Sequence, residues 1–239
     1  MAIFYLPKSG VGFPDPQGAD PDGLLAVGGD LSPRRLIAAY ALGIFPWYHQ
    51  GSPILWWSPD PRCVLEPGGL ALNRRLTRTL RQRNYAVTLD TAFDRVIRAC
   101  AEVCRRGEYG TWITSEMLEA YTTLHHAGLV HSVEVWNDAG ELVGGLYGVA
   151  LGRAFFGESM FHTADDASKA GLVCLVRLLE ERGFHLMDCQ QTTAHMLRFG
   201  AHEIPRCEFN ERLTRAVREK TYRGPWTSWI PDPENPPRS

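Results

Sequence analysis

Prolines at positions 14, 16, 21, 33, 46, 53, 59 and 61 fall within the first 62 residues, among many glycines. Proline fixes φ and removes a backbone donor, so no long helix or central strand can run through such a stretch. One short helix fits between them. Ser32 serves as its N-cap, Pro33 opens the first turn, Leu36, Ile37 and Tyr40 form an apolar face, and Gly43 stops it. Two aromatic stretches, 44–48 and 54–62, follow and read as loops. From Cys63 the texture changes to alternating helical and strand periods. The change predicts a small N-terminal domain over residues 1–62 and a larger domain over 63–239.

Within the larger part, helical spacing covers about 73–83, 91–104, 114–126, 168–182, 193–199 and 208–220, and a Pro-rich tail follows. Strand spacing covers about 85–89, 131–136, 142–150, 153–161 and 184–188. Asp90 or Thr91 is placed to cap the helix after it, and Asn-Asp-Ala-Gly at 137–140 is a hairpin turn. A hairpin, a strand, a helix and a strand in this order predict an α+β fold with a mostly antiparallel central sheet.

Apolar residues make up 44% and charged residues 22%, which fits a folded chain and argues against disorder. A net charge of −2 means that any nucleic-acid-binding surface must be local. The six cysteines form no CxxC pair, and Cys100 and Cys104 are spaced for one helix face. That usage fits reduced thiols better than a disulfide framework or a zinc site, and a cytoplasmic location is expected. The first residues lack the basic and apolar regions of a signal peptide, and no apolar run reaches about 18 residues, so no membrane span is expected.

No GxxxxGK[ST], strand-coupled GxGxxG, HExxH or GxSxG occurs, nor the R-x-x-G-x-G loop that holds the pyrophosphate of acetyl-CoA. What stands out instead is polar residues inside apolar strands. Glu158 interrupts the strand at 152–161, and Asp188 and Gln190 close the strand at 184–191, two apart and so on one face. A buried carboxylate needs a partner. Glu158 is either ion-paired with an arginine or part of a site, and Asp188 is either a helix cap or catalytic. Arg74, Arg75, Arg78, Arg81 and Arg83 occur without an acidic neighbour, with Arg74, Arg78 and Arg81 on one helix face opposite leucines. They form either a solvated face or a phosphate-binding surface. His125, His126, His131, His162, His185, His195 and His202 lack the grouping of metal ligands, so no metal is implied.

Several strings carry a resemblance. GLLAVGGDLSP (23–33), GIFPWY (43–48), WWSPDPR (56–62), GTWIT (110–114), YGVALGRAFFGESMF (147–161), ASKAGL (167–172), DCQ (188–190) and GAHEIPR (200–206) occur in the order of the leucyl/phenylalanyl-tRNA–protein transferase family, which the chain resembles from residue 23 to 206. One stretch departs: 195–200 has Arg198 and Phe199 where the family pattern has a serine and a leucine. The resemblance implies a small N-terminal domain, a larger domain similar to the acetyltransferase fold, and no cofactor. It implies leucyl-tRNA and phenylalanyl-tRNA as donors, proteins with N-terminal Arg or Lys as acceptors, and a product destined for degradation.

The chemistry fits these residues. An α-amine has a pKa of about 7.7–8.0 and is partly neutral at pH 7, whereas a lysine amine near 10.4 is not, so a strong base is not required. A Gln oriented by an Asp is sufficient, with Asp188 fixing Gln190 and the Gln190 amide meeting the amine or the oxyanion; the resemblance implies the same roles. Glu158 is assigned to the acceptor amine. Leu172, Leu175, Val176 and Leu179 on one helix face, with Leu146, Phe155, Met160 and Met187 from strands, are either core or the donor side-chain pocket. Methionines would let such a pocket accept both Leu and Phe. Trp47, Trp112 and Tyr121 are candidates for cradling the terminal adenosine or the acceptor peptide, with core packing as the alternative. Of Trp56 and Trp57, which face opposite ways in an extended stretch, at least one packs in the core. Competing readings are an acyl-CoA N-acyltransferase, a cysteine hydrolase using Cys189 and His195, and a non-catalytic RNA-binding module.

Overall fold

The structure, a computed structural model, describes residues 3–103 and 113–230. The N-terminal part holds β1 (Phe4–Leu6), β2 (Leu24–Gly28), α1 (Pro33–Ala41), β3 (Phe45–Pro46) and β4 (Leu55–Trp57), whose strands form a sheet ordered β1-β2-β4-β3. Ser32 caps α1 by accepting from the Arg35 N–H, as its sequence predicts. The two aromatic stretches are not wholly loops, because Phe45 pairs with Trp57 and Pro46 with Trp56. Strands this short show no period. Trp56 is fully buried and donates Nε1–H to the Gly28 carbonyl at 2.8 Å, while Trp57 stays half-buried and donates to the Trp47 carbonyl at 2.7 Å.

The larger part continues with β5 (Arg62–Leu65), α2 (Arg74–Gln82), β6 (Ala86–Leu89), α3 (Phe93–Glu102), α4 (Ser115–His126), β7 (Val130–Trp136), β8 (Leu142–Leu151), β9 (Ala154–His162), α5 (Ala167–Glu181), β10 (Leu186–Gln190), α6 (Ala194–Leu197), β11 (His202–Ile204) and α7 (Arg206–Val217). Its seven strands are ordered β11-β5-β10-β9-β8-β7-β6, and only the β9/β10 pair is parallel. The fold is therefore the expected α+β with a mostly antiparallel sheet. β5 and β11 escaped the sequence reading because they are short and every residue of β5 is buried, which erases the period-2 signal.

Side chains on β8 and β9 alternate between two cores. Tyr147, Val149 and Phe156 pack with Val96, Tyr121, Leu36 and Trp56, so one core runs from the N-terminal sheet through α3 and α4. Leu146, Ala150 and Phe155 pack with Leu172, Leu175 and Leu179 of α5 on the other face. Leu72, Leu76 and Leu80 pack partly against that second core, leaving the α2 arginines exposed. Asp90 caps nothing. It adopts φ 56° and accepts from the Ser132 and Trp226 N–H groups and from His131 Nδ1. Trp226, in the Pro-rich tail, stacks on His131 at 3.6 Å and is buried, so this part of the tail belongs to the core.

Gly148 lets β8 approach β9 closely, since a Cβ there would lie 2.2 Å from the Phe156 carbonyl oxygen. Gly148→Ala is expected to destabilise the fold by about 1–3 kcal/mol through forced backbone displacement, read as a lower urea midpoint. An unchanged midpoint would mean that the two strands are not pressed together there.

Candidate active site

β9 and β10 are hydrogen-bonded neighbours only as far as the Asp188–Phe156 pair. Beyond it the two strands diverge, and the residues just past that pair, 157–162 on one strand and 189–191 on the other, line a cleft of about 590 Å³. Leu146, Met160, Leu172, Met187 and Met196 give it one apolar wall, all packed with the α5 core. Phe45, Trp47, Tyr147 and Phe161 face them from the other core.

Glu158 sits at the cleft wall. Its Oε1 accepts from Tyr40 Oη at 2.7 Å and from Gln190 Nε2 at 2.9 Å, and its Oε2 accepts from Tyr121 Oη at 3.1 Å. The two tyrosine hydroxyls also bond each other. Of the two readings left open for Glu158, the ion pair with an arginine is not the one found: its partners are neutral donors. Burial pushes the Glu158 carboxyl up to about 7, against the pull of those hydrogen bonds. Burial also raises both tyrosines well above the ordinary value, so they stay protonated, and each hydroxyl has a single proton to give, to Glu158 or to the other tyrosine.

Asp188 is fully buried and forms a bidentate pair with Arg62, Nε to Oδ1 at 2.8 Å and Nη2 to Oδ2 at 2.7 Å. Asp188 Oδ1 also accepts the Gln190 N–H at 2.8 Å. The sequence places Asp188 and Gln190 on one face, but the ladder has a bulge between them and Gln190 adopts φ 61°. The extra residue breaks the alternation. As a result Cys189 and Gln190 both line the cleft while Asp188 lies behind it. Cys189 is a poor nucleophile, because hydrogen bonding to Cys63 and burial raise its thiol well above the ordinary range. The cysteine-hydrolase reading therefore loses its thiolate.

Trp47 lines the cleft, whereas Trp112 lies outside the described residues. Tyr121 is a correction: it is fully buried, with its hydroxyl on Glu158, and no face is open for a base to stack on. Phe155, Leu175 and Leu179 are fully buried behind the cleft and support its wall instead of lining it. Arg74, Arg75, Arg78, Arg81 and Arg83 are all exposed on or beside α2, and Arg83 meets Asp165 at 3.7 Å, an acidic neighbour that the linear sequence does not reveal. Tyr40, Phe45, Arg62, Tyr147 and Met196 were missed. Of these, Arg62 alone left a trace in the sequence, as a charge heading the apolar run Arg62–Leu65 and so in need of a buried acid. In the departing stretch, Phe199 is buried in the α5 core and Arg198 is exposed.

A family model for "Leucyl/phenylalanyl-tRNA protein transferase" matches residues 64–214, and one for the N-terminal domain of the same family matches residues 29–60. The chain belongs to this family. Leucyl/phenylalanyl-tRNA--protein transferase of Anaeromyxobacter dehalogenans (strain 2CP-C) is 59% identical over 95% of this chain and 96% of its own. The protein of that name in Oleidesulfovibrio alaskensis is 57% identical over 95% of this chain and 92% of its own. Among solved structures, L-PGS from Bacillus licheniformis overlays with a TM-score of 0.41 at 9% identity, covering 83% of this chain and 72% of that one. The two family models adjoin on either side of Arg62, whose side chain reaches across to Asp188. No helix among the described residues is long and apolar enough to cross a membrane.

The buried pair separates the two polar residues by consequence. Asp188→Ala leaves the Arg62 guanidinium buried without its acid and is expected to destabilise the fold by about 3–5 kcal/mol. Gln190→Ala is expected to change stability by less than about 1 kcal/mol. Urea unfolding of both variants checks this, and equal midpoints would remove the structural role of the pair.

Proposed function

We propose that the cleft transfers leucine or phenylalanine from its tRNA ester to the α-amine of proteins with N-terminal Arg or Lys, in the cytoplasm, marking the product for degradation. The observation that carries this reading is one cleft holding both an apolar wall and, beside it, the Gln190–Glu158 pair. The donor side chain lies against Leu146, Met160, Leu172, Met187 and Met196. At roughly 0.8 kcal/mol per buried methylene, such a wall favours leucine over alanine by about 2 kcal/mol. Three methionines let it reshape for phenylalanine. Trp47 offers a face for the terminal adenine.

A carboxylate only accepts hydrogen bonds, so Gln190 must turn its amide nitrogen to Glu158, which leaves its carbonyl oxygen for the incoming amine. Glu158 then holds the acceptor amine, takes its proton as the C–N bond forms on the ester carbonyl, and gives that proton to the departing ribose oxygen as the C–O ester bond breaks. A group near 7 suits that task at neutral pH. The remaining Gln190 N–H is available to the oxyanion, where one well-placed donor contributes about 10²–10³ in rate. The exposed arginines of α2, with Arg83 just beyond, meet phosphates of the acceptor stem, which orient the tRNA without reading its sequence.

Incubation with leucyl-tRNA and a peptide bearing N-terminal Arg should yield the leucylated peptide by mass spectrometry, and no mass increase would refute the activity. Gln190→Ala is expected to lower turnover at least about tenfold. Glu158→Gln should raise KM for the peptide more than KM for the charged tRNA. The wild-type rate should climb as pH rises through about 7, where Glu158 loses its proton. In Glu158→Gln only the later rise, near the amine value of about 8, should remain. Identical profiles would exclude Glu158 as the base. Replacing Arg74, Arg78 and Arg81 with Gln should weaken leucyl- and phenylalanyl-tRNA alike and reduce the salt slope by roughly 0.9 for each phosphate no longer neutralised. Unchanged affinity would make α2 a solvated face.

A further inference from the structure

Arg62 opens β5, is 1% exposed, and belongs to neither wall of the cleft. Its guanidinium lies over two aromatic rings, 4.5 Å from the centroid of Phe209 and 5.0 Å from that of Phe45. In that plane it presents Nε and Nη2 to the two oxygens of Asp188. Asp188 Oδ1 in turn holds the Gln190 N–H. Gln190 needs such a hold. Its φ of 61° is the left-handed conformation that a side-chain-bearing residue adopts only when its surroundings impose it. Released from it, the backbone would relax toward the extended form, and alternation would turn the amide away from Glu158.

We propose that Arg62 is a positioning residue for the transfer reaction. Acting through Asp188, it fixes the bulge that aims the Gln190 amide at Glu158 and the cleft. Charge alone does not suffice for this. Arginine binds a carboxylate as a planar fork and stacks on aromatic faces, whereas lysine offers a point charge on a flexible stem. The same geometry assigns Asp188 a holding role, since Arg62 and Gln190 already occupy its oxygens. The inference rests on the reading of Gln190 as the group that meets the amine.

A double-mutant cycle tests it. Arg62→Lys is expected to lower kcat about tenfold while KM for leucyl-tRNA and for the peptide stays within about twofold, because the cleft walls are untouched. In a Gln190→Ala background the same substitution should lower kcat by less than about twofold, because the group it positions is gone. Thermal melts select folded variants. Should Arg62→Lys fail to fold, Phe209→Leu loosens the guanidinium while keeping its charge, and it should show the same background dependence with a smaller loss. Wild-type kcat in Arg62→Lys, or an equal fold loss in both backgrounds, would overturn the role of Arg62. Wild-type kcat in Gln190→Ala would instead strike the Gln190 assignment itself, and with it this inference.

Discussion

The cleft exists because one pair of strands in an otherwise antiparallel sheet runs parallel and then diverges. β9 stays hydrogen-bonded to β8 as far as His162, while β10 leaves β9 after Asp188. Two diverging strands expose backbone and side chains that a continuous ladder would cover, and in the gap between them both cores reach the same space. Every group named in the site lies on this opening or supports it. The buried Arg62–Asp188 pair lies behind the gap and ties β5 to β10, with Phe209 of α7 against the guanidinium.

The polar part of the cleft is arranged to hold a carboxyl without a fixed cation. Three neutral donors surround Glu158, two of them tyrosines delivered by helices from different parts of the chain, Tyr40 on α1 and Tyr121 on α4. An arginine in their place would pull the carboxyl down and hold it permanently ionised. Neutral donors let burial dominate and raise it to about 7. The strong pair, Arg62 with Asp188, is kept one layer back. The cleft therefore combines a rigid ionic support with a front group free to exchange its proton.

Much of this was legible along the chain. Ser32, Pro33 and Gly43 mark α1 because caps and stops act on the backbone locally. Most of the larger sheet follows from period-2 runs. Glu158, Asp188 and Gln190 are visible because a polar residue in an apolar strand calls for an explanation, and ordered strings over most of the chain point to the family. What failed has two causes. β3, β5 and β11 are too short or too evenly buried to carry a period, and Tyr121 reads the same whether its ring stacks on a ligand or its hydroxyl serves a carboxylate 37 residues away.

The sequence by itself determined the fold class, the family and the three polar residues around which the site is built, since each is written in local chemistry or in ordered strings. Only the tertiary structure decided how those three are used. It put Asp188 behind the cleft by inserting a bulge, gave it to Arg62 126 residues away, and brought tyrosines rather than arginines to Glu158. Partnerships of that kind depend on which strands neighbour each other and where a ladder slips. The physical reason is that hydrogen-bond partners and burial are properties of position in space, and the linear chain specifies them only through the fold it adopts.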